Sequence, residues 1–285
     1  MDARFDLEMP DSCEDALQLL AADGAMPLAG GTNLVVDLRA KRVRPKLLVS
    51  LDRVKELRGV SAANGRIAIG ARTTVTDLLR DPAIGAAAPS LVQSAKLFAG
   101  QMVRNTATVA GNLACGSPAA DLVPPLLSLD AEVTLRSAGG QRTMPLADFF
   151  LDYHRNALRR GEIISALSWE RLPPRGCNLF YKLARRKGDA ITVTGVAVTV
   201  AVDGGKCTRA RIALGAVAPI VFRARAAEAM LEGKALTPAL IDAAAQAAAA
   251  ASRPIDDIRA SADYRRQMVR VLTRRLLSQT AEKLG

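Results

Sequence analysis

The period of the apolar positions changes repeatedly along this chain, and each change predicts an element. Phe5 to Met9 alternates as a short strand. Ser12 with Asp15 three residues later resembles a capping box and opens a helix reaching Ala22, with Ala16, Leu19 and Leu20 inward. Asp23-Gly24 ends it. Met26 to Ala29 reads as a brief strand, Thr32 or Asn33 caps a short helix from Leu34 to Arg39, and Lys46 to Ser50 is a buried strand. A second lobe starts near Gly59. Arg66 to Gly70 is a strand, Thr73-Thr74 opens a helix holding Val75, Leu78 and Leu79, Asp81-Pro82 stops it, and Ala86 to Ala99 is another helix. Ala131 to Arg136 and Arg142 to Pro145 form strands around the Ala138-Gly139-Gly140 turn, and Glu162 to Leu172 is a longer strand.

Pro173-Pro174-Arg175-Gly176 then punctuates the chain. Beyond it, Asn178 to Ala184, Val193 to Val202 and Ala210 to Val217 predict antiparallel strands, with Asp203-Gly204-Gly205 as a hairpin turn. Helices are predicted over Phe222 to Leu231, Pro238 to Ala251 and Ala262 to Lys283. The last carries Tyr264, Met268, Val271, Leu272 and Leu276 at helical spacing. A sheet followed by a helical layer predicts an α+β fold. The divisions fall at 1–58, 59–175 and 176–285.

Between Leu97 and Asp130 the chain concentrates small residues (Ala99, Gly100, Ala107, Ala110, Gly111) and short polar ones (Asn105, Thr106, Thr108, Asn112, Ser117) around a turn. Asp121 and an apolar run follow. Small residues let the backbone approach a ligand, and converging N–H groups hold an anion. The plain alternative is an Ala-rich loop joining two core elements. A second small-residue loop upstream, Pro27-Leu28-Ala29-Gly30-Gly31-Thr32-Asn33, favours a binding role, because it places N–H groups at a helix start. Neither loop fits the Rossmann GxGxxG or the GxxxxGK[ST] phosphate loop, so any dinucleotide is held by another architecture.

The chain has 285 residues, 49% of them hydrophobic but only 4% aromatic, so its core is mostly aliphatic. Its net charge is +11. Basic residues cluster at 41–46, 159–160, 185–187, 265–266 and 274–275, yet the clusters are scattered and lack interleaved aromatics. No helix-turn-helix, zinc-finger or RNA-recognition signature is present. Solvated faces and docking surfaces for acidic partners or a phosphorylated cofactor account for them better than nucleic acid does. The four cysteines stand far apart with no CxxC pair, which argues for reduced thiols and against a local zinc or iron–sulfur site. The acidic amino terminus lacks the pattern of a signal peptide, and no apolar run is long enough to span a bilayer. A cytoplasmic protein is expected.

His154 is the single histidine, and a lone histidine is more often structural than catalytic. There is no GxSxG elbow, HExxH or carboxylate cluster. The pairs Glu14-Asp15 and Asp256-Asp257 read as a helix start and a surface turn. No catalytic side chain and no metal ligand is assigned, so the hard chemistry belongs to a bound cofactor.

AGGT at 29–32, NTATVAGN at 105–112, SPAAD at 117–121, EIIS at 162–165 and FYKLARRKGD at 180–189 follow in an order that resembles a known family. It is that of the FAD-binding medium subunit of the molybdenum hydroxylases, which includes xanthine dehydrogenase, aldehyde oxidase and carbon monoxide dehydrogenase. The resemblance covers nearly the whole chain. It implies a two-subdomain FAD-binding fold of the vanillyl-alcohol-oxidase type, followed by an α+β carboxy-terminal domain with a small antiparallel sheet and helices. It also implies a first pyrophosphate loop at Ala29, Gly30, Gly31, Thr32, Asn33 and Leu34, and a second loop at Ala107, Thr108, Gly111 and Asn112. Asp121 would accept hydrogen bonds from FAD hydroxyls, Phe98 would pack on the flavin or adenine, Ile163 would flank the cofactor and Lys182 would supply charge. Phe98 and Ile163 as core, and Lys182 as a strand-edge charge, are the structural alternatives.

The family's second loop is usually TIGGN, and Ala110 stands in place of one glycine; were φ positive there, alanine would cost about 1 kcal/mol. Asp152 and Asn156 also depart from the family pattern. Non-covalent FAD is expected here. Molybdopterin is expected on a large partner subunit and [2Fe–2S] clusters on a small one, in a dimer of heterotrimers that passes electrons to an external acceptor. The rival functions are a stand-alone FAD-dependent reductase of the same fold superfamily and a non-enzymatic, basic nucleic-acid-associated protein.

Overall fold

The computed structural model describes residues 5–186 and 188–285. Residues 1–4 of the acidic amino terminus and Lys187 of the basic cluster at 185–187 lie outside them. Three main sheets and one small hairpin follow one another along the chain.

The first unit comprises β1 (Asp6–Glu8), α1 (Cys13–Leu20), β2 (Ala25–Leu28), α2 (Leu34–Arg39) and β3 (Leu47–Ser50). Its strands are parallel in the order β1-β3-β2. Ser12 caps α1 by accepting the Asp15 N–H at 3.1 Å. The helix stops at Leu20, two residues short of the expected end, and Gly24 turns the chain with φ of 78°. Ala16, Leu17 and Leu20 bury against Val49 and Leu51. In a parallel sheet the loops that leave the carboxyl ends of strands form the ligand crevice, and loop 29–33 leaves β2 in that way.

The second unit opens with β4 (Val60–Ala63) and β5 (Arg66–Gly70), then α3 (Val75–Arg80), α4 (Pro82–Ala87), α5 (Pro89–Lys96), α6 (Gln101–Thr106), α7 (Val109–Ala114) and α8 (Val123–Ser128). β6 (Glu132–Ser137), β7 (Gly140–Pro145), the hairpin β8 (Phe150–Asp152) with β9 (Arg155–Asn156), and β10 (Ile163–Glu170) complete it. The antiparallel sheet runs β4-β5-β10-β6-β7. β4 went unanticipated, because its small, mostly exposed residues show no alternation; Asn64 and Gly65, both left-handed, make its turn.

The expected helix from Ala86 to Ala99 is instead two. Asp81 accepts the N–H groups of Ala83 and Ile84 and starts α4 at Pro82, and Ala88 leaves helical geometry so that Pro89 opens α5. The stretch 97–130, read as a turn, holds three short helices.

The third unit is β11 (Gly176–Ala184), β12 (Thr192–Asp203), β13 (Lys206–Gly215), β14 (Phe222–Arg223), α9 (Arg225–Leu231), α10 (Pro238–Ala251) and α11 (Ala262–Leu284). Its sheet is antiparallel in chain order. Phe222 and Arg223 pair with β13 and do not begin the helix expected there. β12 is buried on both faces. Val196, Val198 and Val200 pack under the helices with Ala244, Val269 and Leu272, while Ala197 joins the core of the second unit with Phe180. On α11 the buried stripe is Arg265, Val269, Leu272 and Leu276; Tyr264, expected inward, is exposed. No helix among the described residues is long and apolar enough to cross a membrane.

Candidate cofactor site

A cleft of about 660 Å3 opens among the three sheets. Its volume lies in the range of small-molecule cofactor sites. Ala29, Gly30, Gly31, Thr32, Asn33 and Leu34 line it from the β2–α2 connection; Phe98 lines it from the end of α5. Ala107, Thr108, Gly111 and Asn112 come from the α6–α7 junction, Asp121 from the approach to α8, Ile163 from β10 and Lys182 from β11. Every cofactor-binding candidate named from the sequence therefore meets at one surface.

The two small-residue loops differ in what they offer. In the first, a β-carbon at Gly30 would stand 1.8 Å from the Thr106 carbonyl oxygen, so the loop is pressed on the end of α6. Gly31 takes φ of 68°. The N–H groups of Gly30, Gly31, Thr32 and Asn33 have no acceptor among the described residues. Neither Thr32 nor Asn33 caps α2 with its side chain, contrary to expectation, so the row of donors stays open.

In the second loop most of the backbone donors are already used. Val109 N donates to Thr73 O at 3.0 Å, Ala110 N to Ala71 O at 3.2 Å and Asn112 N to Thr108 O at 3.0 Å. Gly111 N donates to Thr108 Oγ1 at 3.1 Å. This loop is a fixed wall. Ala110 sits within α7 without a left-handed φ, so its methyl group carries none of the strain considered for it.

Asp121 and Lys182 form a buried ion pair in the wall, with Lys182 Nζ 2.6 Å from Asp121 Oδ2. Thr192 Oγ1 donates to the other carboxylate oxygen. Burial pushes the Asp121 carboxyl above the usual carboxylate range, and the Lys182 ammonium and the Thr192 hydroxyl work against that rise. Cys115 also lines the cleft; burial raises its pKa and disfavours the nucleophilic thiolate. His154 lies outside the cleft, at the tip of the β8–β9 hairpin, where Nδ1 contacts the Cys115 carbonyl at 2.6 Å.

Sequence reasoning passed over Thr192, a plain strand residue with no local signal, and Arg72. The latter lines the cleft, largely buried, with its guanidinium on Asp52, and its place two residues beyond β5 was the available hint. Asp257, read as part of a surface turn, holds the buried Arg265 at 2.6 Å. Arg265, read as part of a surface cluster, is only 3% exposed.

Residues 3–169 match the family described as FAD binding domain in molybdopterin dehydrogenase, and residues 179–280 match the CO dehydrogenase flavoprotein C-terminal domain. The carbon monoxide dehydrogenase medium chain of Hydrogenophaga pseudoflava is 35% identical over 280 residues, covering 96% of each chain. The 6-hydroxypseudooxynicotine dehydrogenase complex subunit alpha of Paenarthrobacter nicotinovorans is 36% identical, covering 98% of this chain and 95% of its own. Among solved structures, carbon monoxide dehydrogenase from Hydrogenophaga pseudoflava lacking the Mo-pyranopterin moiety superposes with a TM-score of 0.94 at 34% identity, covering 99% of both chains.

Proposed function

The chain belongs to the family of FAD-binding medium subunits of molybdenum hydroxylases, and on that premise we propose that it relays electrons from a partner's [2Fe–2S] clusters to an external acceptor. The observation that carries this reading is the open row of N–H donors at Gly30–Asn33 within a cleft that all three sheets help to build. The residues present fit the cofactor: an anion suits the donor row, and Gly30 has no space for a side chain that would block it.

Gly30, Gly31, Thr32 and Asn33 hold the pyrophosphate through their backbone, with Ala29 and Leu34 flanking it. Ala107, Thr108, Gly111 and Asn112 form the opposing fixed surface. Asp121 accepts hydrogen bonds from FAD hydroxyls, and Lys182 keeps a countercharge on that carboxylate. Phe98 and Ile163 supply apolar surface. When bound, FAD supplies the redox chemistry, taking up electrons and giving them to the acceptor. No side chain of this chain need exchange a proton with substrate, and the cofactor is held without a covalent bond.

The partners are a large molybdopterin subunit and a small [2Fe–2S] subunit, assembled as a dimer of heterotrimers in the cytoplasm. Units 1–58 and 59–175 bind the cofactor, and 176–285 closes the cleft. An absorption spectrum of the chain alone and with its native partners tests the reading. Flavin bands near about 450 nm, released as FAD on denaturation, are expected, with broad iron–sulfur absorption only when partners are present. A colourless chain that takes up no FAD even in its complex would sink the proposal.

A further inference from the structure

Arg104, on α6, is held in an unusual way. Its Nη1 donates to two consecutive carbonyl oxygens, Phe98 O at 2.8 Å and Ala99 O at 2.7 Å. Its Nη2 reaches Gln101 Oε1 at 3.3 Å, and its Nε is buried without a partner. These acceptors are all neutral oxygens. A part-buried guanidinium is better compensated by a carboxylate than by carbonyls, so what this contact delivers is geometry more than charge balance. The preceding carbonyl, Leu97 O, accepts from Lys182 Nζ at 3.2 Å. Three successive carbonyls are thus gripped by cations from two different elements.

The gripped segment is itself strained. Ala99 takes φ of 34°, in the left-handed region that a β-carbon disfavours. Such a conformation persists where its surroundings over-determine it, and it stands here on the cleft, with both Phe98 and Ala99 in the wall. Without the guanidinium, Ala99 relaxes toward a right-handed or extended φ, and the Phe98 carbonyl and ring swing with it.

We propose that Arg104 is a positioning residue that fixes the Phe98–Ala99 wall and so sets the apolar surface on which the bound cofactor rests. This inference rests on the FAD reading above. It predicts that the need for Arg104 disappears when residue 99 can adopt its φ unaided, as glycine can.

The test compares Arg104→Gln, Ala99→Gly and the double variant in the full complex, deflavinated and titrated with FAD. Arg104→Gln is expected to weaken FAD binding about tenfold and to change the fluorescence and visible circular dichroism of the bound flavin. The double variant should bind FAD more tightly than Arg104→Gln and return most of the way to the affinity and spectrum of Ala99→Gly alone, which is its reference. Wild-type affinity and spectrum in Arg104→Gln would overturn the proposal. So would a double variant that binds no better than Arg104→Gln, or that fails to assemble, since Arg104 would then serve the fold at large. If the unaltered complex takes up no FAD, the functional reading fails before this one is reached.

Discussion

Gly30 has no room for a methyl group. Its added β-carbon would stand 1.8 Å from a backbone oxygen and 2.5 Å from a backbone carbon of Thr106, neither of which can rotate away. Gly30→Ala is therefore expected to force the first loop off α6, destabilising the chain by about 2–3 kcal/mol and abolishing FAD retention. Gly85 is the contrasting case, with nothing within 4 Å of its added β-carbon and a helical position in α4. Gly85→Ala is expected to gain about 0.5–1 kcal/mol, and thermal melts of the two variants side by side check both signs. The small-residue loops were legible because glycine, threonine and asparagine have few other reasons to gather. Arg104 and Thr192 were not, since an arginine serving carbonyls looks in sequence like any surface arginine.

Caps made the starts of several elements legible. Ser12 and Thr74, read from the sequence as helix openings, each accept a backbone N–H three residues on, and Ser261 does the same at the start of α11. The inward face of α11 was misread because the helix buries an arginine. Arg265 donates to Val193 O at 2.8 Å and Ala216 O at 3.1 Å, tying the helix to β12 and to the end of β13 through their carbonyls. Its countercharge is Asp257. Burial works to raise that carboxyl, but the Arg259 N–H and the Arg259 and Arg265 guanidiniums outweigh it and bring the pKa down to about 2.

A depressed carboxylate pKa contributes stability that is complete above the unfolded value and is lost as pH falls through the folded one. Asp257→Asn is accordingly expected to lose about 1–2 kcal/mol at pH 7, allowing for the part-exposed side chain. The deficit should shrink as pH drops from about 4 toward 2. Urea unfolding of the pair across that range is the check; a deficit independent of pH would mean that packing, and not charge, anchors the helix.

At the level of the whole molecule, the sheets were legible as hydrophobic runs, but their mutual arrangement was not, because the ties between them join residues far apart in sequence. Asp130, itself left-handed, gathers Arg209, Arg211 and Arg223 from the third sheet. Burial opposes the charge on that carboxyl, and the three arginines together still hold its pKa below the usual range. Part of the chain's excess of arginine is therefore internal cement, not a docking surface. The Asp121–Lys182 pair is the corresponding tie at the cleft. Lys182→Met would leave Asp121 buried without its cation, and a loss of about 3–5 kcal/mol is expected, read by urea unfolding, together with reduced FAD content of the purified complex.

That same carboxylate imposes an order on synthesis. Its two partners lie 61 and 71 residues downstream. At ordinary translation rates, several seconds separate the emergence of Asp121 from that of the side chains that complete it. For most of that interval the second unit is itself still being made, since β6, β7 and β10 all follow Asp121, and the wall of the cleft lacks its cation until after that unit is complete. The finished pocket is thus a product of the last third of the chain, although most of the residues that line it belong to the first two-thirds.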